Sequence, residues 1–359
     1  MISRTRHSSN SMADHHPDPS FAPPADMGLL QRRRLLLAAN AFVAASSAAA
    51  FTARAQQAGK VWRIGVLRPA PDDAVFRKNF DSFRQALHET RFTEGTNLAF
   101  EFRLRAGTSE EMLALAADLV RSKVDVILAL STAGVGAAAK ASATVPIVAV
   151  DLESDPVAQG FAVSLARPGR NVTGLFLDFP ELGGKWIQLL RDAVPNLRRV
   201  AVLLDPATGT TLLQGAETAA LAMGVQVLQI ESRSPADFER AFESAVARKA
   251  QAVLALSSPA YNSARKLIAE LSLRHRLPSI MPFPGFADDG GLLGYGPHLT
   301  AMFRQAGGVM VKVLRGERAR EIPIERPTRF ELVVNLKTAR TLGIKIPPSI
   351  MALANRVVE

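Results

Sequence analysis

The chain has 359 residues, enough for two domains with a core in each. Hydrophobic residues make up 48% and charged residues 21%, a globular balance that excludes a disordered or fibrous class, and the absence of cysteine excludes disulfides and lipid attachment through an N-terminal Cys. The formal net charge of +10 is scattered, with no Lys/Arg block after residue 55, so it reads as a solvated basic surface rather than a nucleic-acid site.

Residues 1–55 differ from the rest. Gln31-Arg32-Arg33-Arg34 precedes an uncharged stretch over 35–51, then Ala53-Arg54-Ala55. This order of positive, apolar and small residues predicts a secretory signal cleaved after Ala55 and a periplasmic mature protein. The apolar run is 17 residues long and diluted by Asn40, Ser46 and Ser47. A spanning helix needs about 20 predominantly apolar residues, so stable membrane insertion is not expected. Arg32-Arg33 before Leu35-Leu36 is similar to a twin-arginine signal, with Gln31 where that pattern has Ser or Thr, and both that route and Sec stay open.

From Lys60 onward strands and helices alternate. Residues 61–67 form an apolar run ending at the turn Arg68-Pro69-Ala70-Pro71. A helical pattern over 76–87, a strand over 97–103 and a helix from Ser109 with acids in its first turn follow. Next come a buried strand over 124–130, an Ala-rich helix over 133–143 and a strand over 146–152. The second half repeats the pattern: 109–132 aligns with 235–258 without a gap. Alternation of this kind predicts an α/β protein with two doubly wound parallel sheets. The lobes are expected over 60–177 and 178–296. A strand over 171–178 joins them, and the helix after it carries Leu182, Trp186, Leu189 and Leu190 on one stripe, so Trp186 reads as core. The segment 297–359, with a helix over 299–314 and strands near 322–325 and 330–334, is expected to return to the first lobe and give a multi-strand hinge.

Open α/β sheets bind ligands beyond the carboxyl ends of their strands. The candidate ligand-binding residues there are Arg68, Ser131, Thr132, Asp151, Asp155, Asp205, Ser257, Ser258, Tyr261 and Asp288. Ser131-Thr132 and Ser257-Ser258 each offer hydroxyls before a helix whose free N–H groups suit a carboxylate. Asp205 and the stretch from Asp151 to Asp155 place carboxylates where an ammonium can be held. Tyr261, just past the second Ser pair, either stacks on a ring or covers the helix start. Asp288, beside Asp289 and Gly290-Gly291, reads first as a loop residue near the cleft. The alternative for each Ser, Thr and Asp is simple capping, which favours the same residue types.

Signs of catalysis are thin. Gly134-Val135-Gly136 with Ala139 is a loose dinucleotide fingerprint, misplaced on the third strand. His88, His275 and His298 stand apart without metal-ligand spacing, and no nucleophile elbow, Walker loop or zinc-protease motif is present. No catalytic residue, metal or cofactor is expected.

Longer stretches carry a resemblance. Asp155-Pro156-Val157-Ala158-Gln159-Gly160 leads through Ser164-Leu165-Ala166-Arg167-Pro168-Gly169 into Asn171-Val172-Thr173-Gly174. Near the end stand Pro327-Thr328-Arg329-Phe330-Glu331-Leu332-Val333-Val334-Asn335, Leu342-Gly343-Ile344 and Ile346-Pro347-Pro348-Ser349. These, with 198–206 and 290–297, resemble the ABC-transporter substrate-binding proteins of the tryptophan/tyrosine transport type, over nearly all of 60–359. The resemblance implies a type I periplasmic-binding-protein fold, a small ligand (aromatic amino acids, where family ligands are assigned) bound between the lobes, and delivery to a permease and ATPase. A monomer is expected. The alternatives are an exported two-domain enzyme such as a transferase, or a binding component that feeds a sensor.

Overall fold

The computed structural model describes residues 60–177, 181–208 and 210–359. The expected signal and its cleavage point lie outside them. The first sheet contains β1 (Trp62–Arg68), β2 (Leu98–Leu104), β3 (Val126–Leu130), β4 (Ile147–Asp151) and β5 (Val172–Phe176), in the order β2-β1-β3-β4-β5 and parallel throughout. Its helices are α1 (Ala74–Glu89), α2 (Ser109–Arg121) and α3 (Ser131–Ala141). The sequences VILAL of β3 and IVAVD of β4 are buried at every position, as a sheet covered on both faces requires. Alternate residues face opposite ways: Ile127, Ala129 and Ile147 pack with Met112 and Leu119 of α2, while Val126, Leu128 and Val148 pack with Phe80 and Phe83 of α1.

Local signals set the helix starts. Asp73 accepts the Phe76 N–H at 2.8 Å to cap α1, and Thr108 with Glu111 forms a capping box on α2.

The second lobe follows with α4 (Glu181–Ala193), β6 (Arg199–Leu204), α5 (Thr211–Ala222), β7 (Gln226–Glu231), α6 (Pro235–Ala247) and β8 (Ala252–Ala255). Then come α7 (Pro259–Ser263), α8 (Arg265–Arg274), β9 (Ser279–Met281), α9 (Gly285–Asp288) and β10 (Leu293–Pro297). The chain ends with α10 (Leu299–Leu314), β11 (Phe330–Asn335), α11 (Leu336–Leu342), α12 (Pro348–Leu353) and β12 (Arg356–Val358). The second sheet runs β12-β11-β10-β9-β8-β6-β7, parallel except for the antiparallel pair β10–β11. Helix α4 lies close against α5 because Gly183 has no Cβ; one added there would stand 2.4 Å from the Ala216 backbone nitrogen. Trp186 is fully buried on α4, and its Nε1 donates to the Tyr295 carbonyl at 2.7 Å. It is core, as its stripe predicts.

The tail departs from expectation. Helix α10 does return to the first lobe, packing on α1, β4 and β5. Glu325 then bridges Leu175 at the edge of the first sheet, with Phe176 N donating to Glu325 O at 3.1 Å and Glu325 N to Gly174 O at 2.8 Å. Strand β11, however, pairs with β10 in the second sheet, and β12 pairs with β11. The expectation that all of 297–359 returns to the first lobe is therefore corrected: 330–358 belongs to the second. The apolar run of β11, buried over its last four residues, suits either sheet, and the antiparallel register with β10 places it in the second. The chain passes between the sheets after β5, after β10 and between Glu325 and β11. Among the described residues no helix is long and apolar enough to cross a membrane.

Candidate functional site

The carboxyl ends of β1, β3 and β4 face those of β6 and β8 across the junction of the two sheets. Among the described residues, polar connections cross it at two places. On one, Arg68 at the end of β1 donates through Nη2 to Asp73 Oδ2 at 2.8 Å and to Ser263 Oγ of α7 at 2.8 Å. Ser263 Oγ donates in turn to Asp73 Oδ2 at 2.7 Å. Arg68 Nη1 bonds the Pro71 carbonyl, and the guanidinium lies 4.8 Å over the Phe76 ring. Burial pulls Arg68 below its usual value, opposed by the neighbouring Asp73.

On the other connection, Ser257 Oγ past β8 donates to Glu153 Oε1 past β4 at 2.7 Å. Glu153 Oε2 also faces the backbone N–H of Thr132 in the first turn of α3, at 3.4 Å. Beside it, Asp151 is fully buried and accepts from Thr132 Oγ1 at 3.0 Å, Glu153 N at 2.9 Å and Ser154 Oγ at 2.6 Å. Burial raises both carboxyls, and the Asp151 charge pushes Glu153 further up. Two adjacent carboxylates away from water cannot both ionise cheaply, so this pair holds a proton well above the usual range.

Ser131 opens α3 at a φ of 64°, in the left-handed region. It is 3% exposed, and its Oγ has no hydrogen-bond partner. A buried hydroxyl without a partner costs free energy and marks a place where another group is expected.

These residues enclose an inner cavity of about 60 Å³, bounded by Arg68, Ser131 and Glu153, with Phe76, Leu130, Phe283 and Phe303 among its apolar walls. An outer pocket of about 340 Å³ lies beyond it, lined by Lys78, Arg265, Asp288, His298, Glu331 and Arg356 among others. Asn79, Asn262, Phe283 and Leu299 line both and form a neck between them.

The ten expected residues divide accordingly. Arg68 and Ser131 line the inner cavity and Asp288 the outer pocket. Thr132, Asp151 and Ser257 stand one bond behind, holding each other or Glu153. Asp205 and Ser258 pair within the second lobe, Ser258 Oγ donating to Asp205 Oδ2 at 2.7 Å while also capping α7 at the Ala260 N–H. Asp155 Oδ1 closes a turn, accepting from Val157 N at 2.7 Å and Ala158 N at 3.1 Å. Asp288 carries an ion pair to Arg356. Tyr261 is fully buried: its hydroxyl meets Ser232 Oγ at 2.5 Å and donates to Ser232 O at 2.8 Å, with its ring edge-on to Phe238. It belongs to the second-lobe core, which corrects its reading as a stacking platform. Gly134 and Gly136 sit inside α3 rather than in a phosphate loop, Gly134 passing close to the Leu67 carbonyl.

Sequence reasoning missed Glu153, Asn79, Asn262 and Ser263. Asn79 was the most accessible, being a polar residue inside the buried stripe Phe76, Phe80, Phe83, Leu87 of α1. Its Oδ1 accepts from Thr300 Oγ1 at 2.9 Å. Glu153 lies between the two aspartates that drew the eye.

Comparison with known proteins places this geometry. A "Tyrosine-binding protein" of Clostridioides difficile (strain R20291) is 23% identical over 268 residues, 73% of this chain and 76% of the relative. Among solved structures, a conserved domain protein from Vibrio cholerae superposes with a TM-score of 0.76 at 22% identity, over 83% of this chain and 100% of that one. An ABC domain from Streptococcus pneumonia in complex with L-Trp gives 0.74 at 20% identity, over 83% and 99%. These likenesses show the fold, that of the type I periplasmic binding proteins. Residues 63–358 match the family described as ABC transporter substrate binding protein. The chain therefore belongs to the ABC transporter substrate-binding proteins.

Proposed function

We propose that the junction between the two sheets is where this chain holds its transported solute, and that the solute is a small amine-bearing compound of the amino-acid class. The observation that carries the reading is the inner cavity itself. It sits at the strand carboxyl ends, is closed by contacts made from both lobes, and carries an unpartnered Ser131 hydroxyl. The printed names of the relatives, one tyrosine-binding and one holding L-Trp, support an amino-acid-like ligand. Residues Arg68, Ser131 and Glu153 contact the solute, and Thr132, Asp151 and Ser257 hold them in place.

The protein acts in the periplasm after removal of its signal at Ala55, as a monomer without stable membrane insertion or nucleic acid. It releases the solute unchanged to a permease and its ATPase, and family membership favours this over an exported transferase or a component feeding a sensor. Thermal-shift screening of the purified protein against amino acids and small amines tests the proposal. A true ligand at a hundredfold excess over its Kd adds about 2.7 kcal/mol of stability and is recovered unaltered by mass spectrometry. Chemical conversion of the bound compound, or no stabilisation across both classes, contradicts it.

A further inference from the structure

We propose that the end of the first lobe away from the cleft is a docking face for an anionic lipid bilayer, and that it holds this cysteine-free protein at the membrane surface without inserting it. The proposal goes beyond the solute reading and takes from it only that the chain is exported. The five strands of the first sheet all run parallel, so their carboxyl ends border the cleft and their amino ends gather at the opposite end. Positive charge that is scattered along the sequence is collected there by the fold.

Lys123 leads into β3, Lys140 lies in the last turn of α3 before β4, Arg167 and Arg170 precede β5, and Arg315 and Arg320 follow α10. Bonds between distant segments hold the group together. Asn171 Nδ2 donates to the Ser142 and Val145 carbonyls, each at 2.8 Å, which ties the start of β5 to the end of α3. Gly169 N donates to Arg320 O at 3.0 Å and Thr173 Oγ1 to Ile322 O at 2.9 Å, which ties it to the short 3-10 helix Ala319–Glu321. These six cations are exposed, and among the described residues their side chains make no hydrogen bond or ion pair. The acids of this end are fewer: Glu321 pairs with Arg318, Asp125 accepts the Arg63 N–H at 2.8 Å, and Glu317 follows α10.

Helix dipoles account for half of the group. Lys123, Lys140 and Arg315 stand at helix carboxyl ends, where a cation is favourable. Arg167, Arg170 and Arg320 lie outside the α-helices, and nothing in the lobe compensates the repulsion among them. Val163 stands beside them, 66% exposed and against Gly169, where an added Cβ would meet its Cγ2 at 2.6 Å. Exposed cations around an apolar side chain match a headgroup layer, with phosphates outermost and hydrocarbon beneath. None of the six lines the inner cavity or the outer pocket, so they answer an extended anionic surface rather than the solute.

The test is co-sedimentation of the purified protein with vesicles, made either of equal parts phosphatidylglycerol and phosphatidylethanolamine or of phosphatidylcholine alone. Binding is expected to the anionic vesicles alone, and to be lost at about 0.5 M salt, where screening cuts electrostatic reach to a few ångströms. Each Lys or Arg near such a surface is worth about fivefold in affinity, so combining Arg167→Gln, Arg170→Gln and Arg320→Gln should weaken binding about a hundredfold. The second-lobe combination Arg191→Gln, Lys266→Gln and Lys345→Gln makes the same change in net charge and should stay within about threefold. Both combinations alter exposed side chains only, and their unfolding midpoints should match the unsubstituted protein. No binding to anionic vesicles, equal binding to neutral ones, or equal losses in the two combinations overturns the proposal. So does retention on immobilised polyglutamate in place of vesicles, which would assign the face to an acidic protein partner. Solute affinity is expected to be unchanged in the first combination, so failure here leaves the cleft reading in place.

Discussion

Glu153 shows most clearly how one residue ties the site to stability. Its carboxyl is buried beside Asp151, bonded across the cleft to Ser257, and shares a cavity with Arg68 of β1. The folded pKa is raised above the value of 4.5 that the free side chain shows. The folded state therefore keeps a proton that the unfolded chain loses first, and stability falls as pH rises from that value toward the raised one. Asp151 acts in the same direction. The slope reaches about 1.4 kcal/mol per pH unit for a full proton difference. Thermal unfolding of the ligand-free protein between pH 4.5 and 8 should show this decline. In Glu153→Gln it should be much shallower, and parallel curves for both proteins would refute the assignment. Tyr261 gives the opposite case. Tyr261→Phe removes a buried hydroxyl bonded to Ser232, at a cost of about 0.5–1.5 kcal/mol in denaturant unfolding. Because the ring packs in the second-lobe core, ligand affinity should not change. A large affinity loss would return Tyr261 to the site.

At the scale of elements, strands were legible where burial on both faces forces a continuous apolar run. The runs over 61–67, 124–130 and 146–152 fall within about two residues of β1, β3 and β4, while the edge strand β2, mostly half-buried, was legible at 97–103 from alternation instead. Helix α3 begins at Ser131 rather than Ala133, because Ser131 takes the left-handed conformation that turns the chain from β3 into the helix. The destination of β11 was not legible, since its residues suit either sheet and only long-range pairing with β10 chooses. Tyr261 was misjudged for a related reason. An amphipathic side chain near a strand end fits either a core or a cleft, and Ser232, 29 residues earlier, settles it. The closeness of α4 and α5 is testable alone. Gly183→Ala puts a methyl against the Ala216 and Leu212 backbone and should cost about 1–3 kcal/mol. An unchanged unfolding midpoint would show that the helices can separate freely.

For the whole molecule, the two-sheet plan follows from repetition of the βα pattern, and the repeated segments 109–132 and 235–258 each run from a helix into a strand end that borders the cleft. What the repeat cannot show is which end residues face across the junction. That depends on three passages between sheets separated by more than a hundred residues, from β5 to Glu325. The bonds from Arg68 to Ser263 and from Ser257 to Glu153 cross between lobes that also share one apolar cluster, with Phe76, Leu130 and Phe303 on one side and Leu256 and Phe283 on the other. Three chain passages between the sheets give the cleft the connections of a hinge that opens and closes on a solute. The chain has no cysteine, so labels can be placed uniquely. Leu113 on α2 and Leu221 on α5 are 38% and 82% exposed, one on each lobe. The most direct measurement is the spin-label distance between Leu113→Cys and Leu221→Cys, taken with and without the compound giving the largest thermal shift. A solute held in the cleft should shift the distribution to one narrower population at shorter distance; a distribution unchanged by a saturating ligand would contradict the account.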